Sequence, residues 1–412
     1  MPSSSRPSNV ASSETAREIN RDLLLQAIHR NQPVSRADLA RISGLQPSTV
    51  SVIIGQLIDE GWVVVGAQGR LPRGRRPTFV MLNERHVVLA IDLRPTLANL
   101  ALVDINGKML EREAIAMPAQ EGAPEETSLA VQKIVEVARA LRKRASSLLF
   151  DGVGVSVSGR VDQKTHQLLF SPNAPWMRVD LYSELVRIFG EPVEMDNAAN
   201  AGLYGERWFG KLGEAQNVIS VSISDGIGTG LLVDGRVLRG RNGMAGEFGH
   251  MPLMEDGPRC GCGNFGCWEV FASNRAGLRY YKEIVPDSNL TSFEQLLDLA
   301  LKEDLDALRS IDRMMHSLAQ GLTILSAGLA PEAVLIVGDC TALWQRIKPL
   351  LESRLIAKSF RPQTPELLAT LDGEVARLRG AAALIFHKQL FRQSDFRPLS
   401  TLQDQRGRAP KL

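Results

Sequence analysis

Apolar positions in the first eighty residues recur at helical spacing. Past His86 they change to strand spacing. Ile19, Leu23, Leu24, Ala27 and Ile28 mark one face of a helix that starts near Arg17 and ends at Asn31-Gln32-Pro33. Ser35 reads as an N-cap, with Asp38 in the acidic position three residues on, and predicts a short helix over 36–42 that stops at Ser43-Gly44. Pro47 suits the first turn of a further helix, whose Val50, Ile53, Ile54, Leu57 and Ile58 form the buried side and which Gly61 ends. Segments 62–65 and 78–82 are β-like, with a glycine- and arginine-rich loop between them. Helix, helix, turn, helix, strand, loop, strand is the order of a winged helix-turn-helix.

Beyond it, 87–93, 97–104 and 108–116 read as strands, with a hairpin turn at Asn106-Gly107. A helix is predicted over 128–148 and a buried strand over 151–158. A second hairpin, 217–223 and 228–238, turns at Asp234-Gly235. Segments 91–110 and 223–238 share the order strand, loop, strand, Asx-Gly turn, strand, a weak internal repeat that suggests two related α/β lobes. Helix 317–329, strand 333–337 and a closing helix over 374–390 follow.

Composition narrows the class. The 412 residues are 44% hydrophobic and 23% charged, which excludes wholesale disorder, a fibrous chain and a membrane bundle. No apolar run reaches the roughly 18 residues of a membrane span. The N-terminus lacks a secretory pattern, so a cytoplasmic protein is expected. The formal charge of +2 conceals an asymmetry: residues 17–77 carry nine arginines against five acids, a net of +4. The excess gathers at Arg70, Arg73, Arg75 and Arg76 in the expected wing, where guanidinium groups suit phosphates and narrow minor grooves. Gln46, Ser48, Thr49 and Ser51 open the expected recognition helix and can meet base edges or phosphates. DNA is the predicted partner; a small helical domain solvated by its arginines is the alternative.

Four cysteines are too few for a disulfide framework in a chain this long. Three of them cluster as His250-x9-Cys260-x-Cys262-x4-Cys267, a donor set that closes a tetrahedral zinc site and leaves no position for catalytic water. Unrelated thiols beside a core histidine are the alternative. Cys340 stands apart and reads as a buried hydrophobe. The glycine loop Asp225-Gly226-Ile227-Gly228-Thr229-Gly230 suits either a phosphate cradle or a tight β-turn, and the β-like residues after it exclude a dinucleotide fingerprint. Asn197, Asn200, Glu247, His250 and Glu269 carry side chains able to pair with sugar hydroxyls, and Trp176 offers a stacking face; spacing alone does not join them.

Gly246-Glu247-Phe248-Gly249-His250, followed by Cys260-Gly261-Cys262-Gly263-Asn264-Phe265-Gly266-Cys267-Trp268-Glu269, closely resembles the signature of the ROK family of repressors, open reading frames and sugar kinases. With the winged helix and Gly74-Arg75-Arg76-Pro77, the resemblance is to its repressor branch and covers about residues 17–390. It implies an α/β fold: a winged helix-turn-helix over 17–82, then a two-lobed, actin-like (ribonuclease H-like) ROK domain over 83–390. The lobes are expected at about 83–205 with helix 374–390, and at 206–373, flanked by a flexible arm, 1–16, and a polar tail, 391–412. The resemblance implies zinc on His250, Cys260, Cys262 and Cys267, and sugar contacts from Asn197, Glu247, His250 and Glu269, with Gly159 and Asn173 nearby.

The departures from the kinases of the family are as informative. Where kinases read Glu-Asn-Asp-Ala-Asn, this chain reads Asp196-Asn197-Ala198-Ala199-Asn200, so the catalytic aspartate falls on Ala198. The first phosphate loop, Asp-x-Gly-Gly-Thr-Lys, is Asp92-Leu93-Arg94-Pro95-Thr96-Leu97 here, and Asp225 replaces a threonine in the second. Phosphoryl transfer needs both a proton acceptor and a cradled phosphate. The resemblance therefore implies a non-enzymatic, sugar-responsive repressor that binds an inverted-repeat operator as a homodimer or homotetramer. The alternatives are a sugar kinase with an appended DNA-binding domain, and a constitutive DNA-binding protein with a vestigial sugar site.

Overall fold

The computed structural model describes residues 13–68, 78–117, 124–170, 180–190, 192–210, 212–358, 364–370 and 373–391. The chain forms two compact units, Met1–His86 with Lys388–Leu412, and Val87–His387.

In the first unit, α1 (Ser13–Asn31) is followed by β1 (Val34–Ser35), α2 (Arg36–Ser43), α3 (Pro47–Asp59), β2 (Val63–Gln68) and β3 (Thr78–Leu82). The expected signals act as read. The Ser35 hydroxyl accepts from the Asp38 amide, Gly44 ends α2 with φ 66°, and Pro47 occupies the first turn of α3. Leu23, Leu24, Ala27, Ile28, Leu39, Val50, Ile53, Ile54 and Leu57 are buried together, while Ile58 is half-buried. One element escaped the sequence: two-residue β1 pairs antiparallel with β3, which also pairs with β2, so the wing sheet has three strands. A strand that short has no periodicity to read. Arg21, buried on α1, donates to the Leu390 carbonyl at 2.6 Å and to Glu60 at the end of α3 at 2.5 Å, so the last turn of the described chain belongs to this unit.

The second unit contains two five-stranded sheets of one design. The first uses β4 (His86–Leu93), β5 (Leu97–Asp104), β6 (Met109–Ala116), β7 (Leu149–Val157) and β10 (Val193–Asn197), in the order β10-β7-β4-β5-β6. The second uses β11 (Val218–Ile223), β12 (Ile227–Val233), β13 (Arg236–Val237), β14 (Ala333–Gly338) and β15 (Glu366–Ala369), in the order β15-β14-β11-β12-β13. Each is a three-stranded antiparallel meander extended by a parallel pair, which bears out the internal repeat. A small ribbon, β8 (Arg160–Val161) with β9 (Leu168–Phe170), leaves the end of β7.

Helices α4 (Pro124–Arg144) and α5 (Leu181–Phe189) cover the first sheet. The second lies against α7 (Glu269–Ala272), α8 (Asn274–Ile284), α9 (Phe293–Leu301), α10 (Leu305–Leu329) and α11 (Trp344–Lys358). Each sheet has its own apolar core. Between them run α6 (Ala198–Trp208), which touches strands of both sheets, and α12 (Gly373–Leu390). Close approach depends on glycine twice over: between the two helices, where a Cβ on Gly205 would lie 2.9 Å from Gly380, and between α12 and β7, where one on Gly154 would lie 1.9 Å from the Ala381 carbonyl oxygen.

Several predicted boundaries moved. Helix α1 begins at Ser13, inside the expected flexible arm, rather than near Arg17, and α10 begins at Leu305, with Asp304 as its N-cap, rather than at 317. Helix α4 begins at Pro124 and ends at Arg144 rather than spanning 128–148, because the chain turns at 145–148, where the Leu148 amide bonds the Ala145 carbonyl. The Asn106-Gly107 hairpin is not the two-residue turn its dipeptide suggests. The Asp104 carboxylate accepts from the amides of Asn106 and Lys108, only Gly107 has positive φ (80°), and a three-residue loop results. At Asp234-Gly235 both residues have positive φ, 49° and 74°, the backbone of a type I′ turn.

Candidate functional site

The strand ends of the two sheets face a concave cleft, the kind of place where small molecules bind. Asn197, Glu247, His250, Glu269 and Gly159 all line it, so the fold joins what sequence spacing left scattered. Asn173 and Trp176 lie outside the described residues, as do Arg70, Arg73, Arg75 and Arg76.

Each lining group is held by local structure. Asn197 caps α6, its Oδ1 accepting from the Asn200 amide at 2.7 Å, which leaves its Nδ2 as a donor for the cleft. Asn200 is not a lining residue. It is buried and donates to Asp196 at 3.0 Å, and Asp196 also accepts from Arg239 at 2.6 Å. Glu247 is the N-cap and His250 the last residue of a 3-10 turn, Phe248–His250, that follows Gly246. Only glycine fits at 246, since φ is 92° and a Cβ would lie 2.4 Å from the Thr229 carbonyl oxygen. His250 stands between two carboxylates, Nε2 3.8 Å from Glu247 and Nδ1 3.8 Å from Glu269. Burial pushes the Glu247 carboxyl up, against the pull of His250 and Arg160.

The glycine loop resolves as a tight β-hairpin. Ile223 pairs with Ile227, and the Ser224 amide bonds the Gly226 carbonyl. Its glycines permit close packing: a Cβ on Gly226 would lie 2.6 Å from Glu269 Oε2, and one on Gly230 would lie 2.9 Å from the Ala199 backbone. The Ile227 amide bonds the same Glu269 oxygen at 3.4 Å.

Behind His250 the chain folds back, bridging Pro252 to Cys267 and Arg259 to Phe265. One ligand atom from each of His250, Cys260, Cys262 and Cys267 lies within 4.8 Å of the others, a cluster able to hold a metal ion. A tetrahedral zinc with Zn–S bonds of about 2.3 Å sets its sulfurs about 3.8 Å apart and nitrogen about 3.6 Å from sulfur. Cys262 Sγ and Cys267 Sγ are 3.8 Å apart, and Cys260 Sγ is 3.6 Å from His250 Nδ1. The donor set and spacing fit the group. Burial pushes the Cys267 thiol up to about 11, and the Cys260 thiol also rises, so a cation is needed to hold these sulfurs as thiolates. Cys340 is fully buried in the apolar core around the second sheet, as expected.

Sequence reading missed the residue that seats this loop. Trp268 is wholly buried, donates from Nε1 to the Ser317 carbonyl at 2.9 Å, and lies in a notch at Gly321 on α10, where a Cβ would come within 2.1 Å of its ring. Glu269 follows it directly. Only the pairing with a glycine fifty-three positions away reveals the role, and no local motif announces it.

A second group of side chains joins the two sheets. Arg94, where the kinase loop has its first glycine, donates to Asp92 at 3.0 Å and lies 3.7 Å from Asp339. Arg377 of α12, 2% exposed, donates to Asp92 at 3.1 Å and to Asp339 at 3.0 Å. Asp92 and Asp339 stand at the ends of β4 and β14, so this neutral quartet ties the two sheets together. Burial pushes both carboxyl groups up, opposed chiefly by Arg94.

In the first unit, Gln46, Ser48 and Ser51 are exposed and Thr49 half-buried at the start of α3. Val52 joins them at 58% exposure, an apolar group the sequence reading did not include.

Comparison with known proteins places these features. The ROK family model matches residues 88–388, and a MarR family model matches 23–76. The chain is 33% identical over 381 residues to the xylose repressor of Bacillus subtilis (strain 168), covering 92% of this chain and 97% of that one. Its structure is similar to the crystal structure of a ROK family transcriptional regulator described as a homologue of the Escherichia coli MLC protein, with TM-score 0.71, 26% identity, and 91% and 96% of the two chains covered. It is also similar to a ROK family glucokinase from Streptomyces griseus in complex with glucose and AMPPNP, with TM-score 0.63 and 27% identity over 72% of this chain and 98% of that one. The duplicated sheets, the histidine-cysteine loop at the cleft and the extent of these matches lead to one assignment: the chain belongs to the ROK family and carries an N-terminal MarR-type winged helix ahead of the actin-like domain.

Proposed function

We propose that this protein is a sugar-responsive, DNA-binding transcriptional repressor. The observation that carries the reading is a cleft that keeps its hydroxyl-binding groups and has lost its phosphate-handling ones, in a chain that also has a winged helix. Asn197, Glu247, His250 and Glu269 supply a donor and acceptors for paired hydroxyls. Ala198 has no carboxylate with which to accept a hydroxyl proton. Arg94 and Arg377 spend their charge on Asp92 and Asp339, and Pro95 offers no amide to a phosphate. These losses weigh against the kinase reading.

On the DNA side, α3 presents Gln46, Ser48, Thr49 and Ser51, and Val52 suits a thymine methyl. The arginines of 70–76 serve phosphates. A homodimer on an inverted repeat matches two such helices to two half-sites. His250, Cys260, Cys262 and Cys267 would hold zinc, whose role is to brace the loop that presents His250 Nε2 and Glu269 to the cleft. Sugar bound there favours one arrangement of the two sheets, and operator affinity changes by the difference in affinity for the two arrangements.

Binding of the purified protein to labelled DNA from upstream of its own coding region tests the reading, titrated with a panel of sugars. Specific binding released by one sugar is the expected result. DNA binding that no sugar alters favours the constitutive alternative. A coupled assay showing ATP-dependent phosphorylation of any panel sugar above background would overturn the non-enzymatic reading.

A further inference from the structure

Asn197 reaches the cleft from the end of β10 in the first sheet, whereas Glu247 and His250 reach it from a turn against β12 in the second. A sugar held by all three needs a fixed distance between them. We propose that Arg239, which does not itself line the cleft, is the positioning residue that sets this distance. The inference rests on the sugar reading above and deepens it.

The side chain holds one wall. Arg239 lies two residues beyond β13, and its guanidinium crosses to the first sheet. Nη1 donates to Asp196 Oδ2 at 2.6 Å and Nη2 to the Tyr204 hydroxyl on α6 at 3.3 Å, two bonds from one planar group. The Asp196 side chain is 4% exposed, and its other oxygen accepts from the Asn197 amide at 2.8 Å and from Asn200 Nδ2 at 3.0 Å. The carboxylate that Arg239 holds therefore fixes the backbone that carries Asn197. The Arg239 main chain holds the other wall. Its carbonyl accepts from the Ala245 amide at 3.0 Å, and Gly246 and Glu247 follow directly. The loop so closed is tight: Gly240 has φ 63°, and a Cβ there would lie 3.1 Å from the Ala245 nitrogen. It also rests on the ribbon beside the cleft, since a Cβ on Gly243 would lie 2.8 Å from the Val161 carbonyl oxygen. Arg160 of that ribbon lines the cleft and acts on Glu247 directly. Arg239 reaches the site only through Asp196 and Ala245.

Calorimetry on the full chain tests the inference, with xylose, glucose, galactose and N-acetylglucosamine as ligands. Arg239→Met keeps the aliphatic stem and loses both bonds. The sugar that binds the unaltered chain should bind this variant about tenfold more weakly, the loss of roughly one hydrogen bond to the ligand. Zinc content by elemental analysis should not change. Adding Asp196→Asn removes the buried carboxylate charge left unpaired, so the melting temperature should recover while sugar affinity stays low. An ion pair with a structural role alone would recover both together. Arg239→Lys keeps the charge for Asp196 but cannot span to Tyr204 as well, and it stands in should Arg239→Met fail to fold, with a loss of about threefold expected. Unchanged affinity in the folded variant, or affinity that returns with stability in the double variant, overturns the assignment and leaves the sugar reading standing. Binding of none of the four sugars to the unaltered chain overturns both.

Discussion

Replacing Arg377 by Met should destabilise the sensor unit severely. Its guanidinium is 2% exposed and donates to Asp92 at 3.1 Å and Asp339 at 3.0 Å. With an effective dielectric near 20, each contact attracts by about 5 kcal/mol. Most of that offsets the desolvation of the charges, so the pair contributes little over an apolar substitute of the same shape. Deleting one partner is different. The buried quartet of two arginines and two aspartates is left with an uncompensated negative charge that only Arg94 shares, and breaking such a pair costs about 3–5 kcal/mol. That is a large fraction of the roughly 5–15 kcal/mol of a typical domain. Urea unfolding read by tryptophan emission is the assay, since Trp208, Trp268 and Trp344 lie in this unit. Added salt should leave the loss unchanged, because buried pairs are little screened. Adding Asp339→Asn restores neutrality and should recover roughly 1–3 kcal/mol. A loss below about 1 kcal/mol, or no recovery in the double variant, would refute the claim that the quartet's buried charges balance one another.

Three further outcomes are expected. His29, half-buried near the end of α1, is held to about 4 by burial and then by Arg30, against 6.5 in the unfolded chain. The unfolded chain therefore takes up the proton first as pH falls. Stability of the DNA-binding unit should be complete above pH 6.5 and drop by about 2 kcal/mol between there and pH 4, a slope that His29→Gln removes in thermal melts across that window. Gly321→Ala sets a methyl against the Trp268 ring and should cost roughly 1–3 kcal/mol while weakening sugar affinity through Glu269; unaltered affinity in a calorimetric titration would separate the notch from the site. Cys262→Ser should abolish stoichiometric zinc, measured by elemental analysis, together with the sugar response. A variant that retains its zinc would show that Cys262 is not a ligand.

Much of the architecture was legible because it is set locally. Ser35, Gly44, Pro47 and the Asp234-Gly235 turn each act through neighbours within four residues. The metal cluster was legible for a related reason: its cysteines lie within one short loop that glycines allow to fold back. The quartet was not. Arg94 is two residues from Asp92, but its meaning depends on Asp339 and Arg377, hundreds of positions away. The same holds for Trp268 on Gly321. The Asn106-Gly107 turn differed because a nearby carboxylate outbid the dipeptide's own preference. The candidate sugar contacts were picked out one by one, by their polar chemistry and then by resemblance; that they share one cleft required the two sheets to fold.

Arg21 also sets an order of events during synthesis. It binds the Leu390 carbonyl, so a unit formed by the first 86 residues waits for the final turn of α12 to complete its contacts. While the ribosome is still translating the sensor, the emerging winged helix lacks that cap. A chain that ends before Leu390 is therefore expected to carry a winged helix less stable by about 1 kcal/mol, the contribution of one such hydrogen bond.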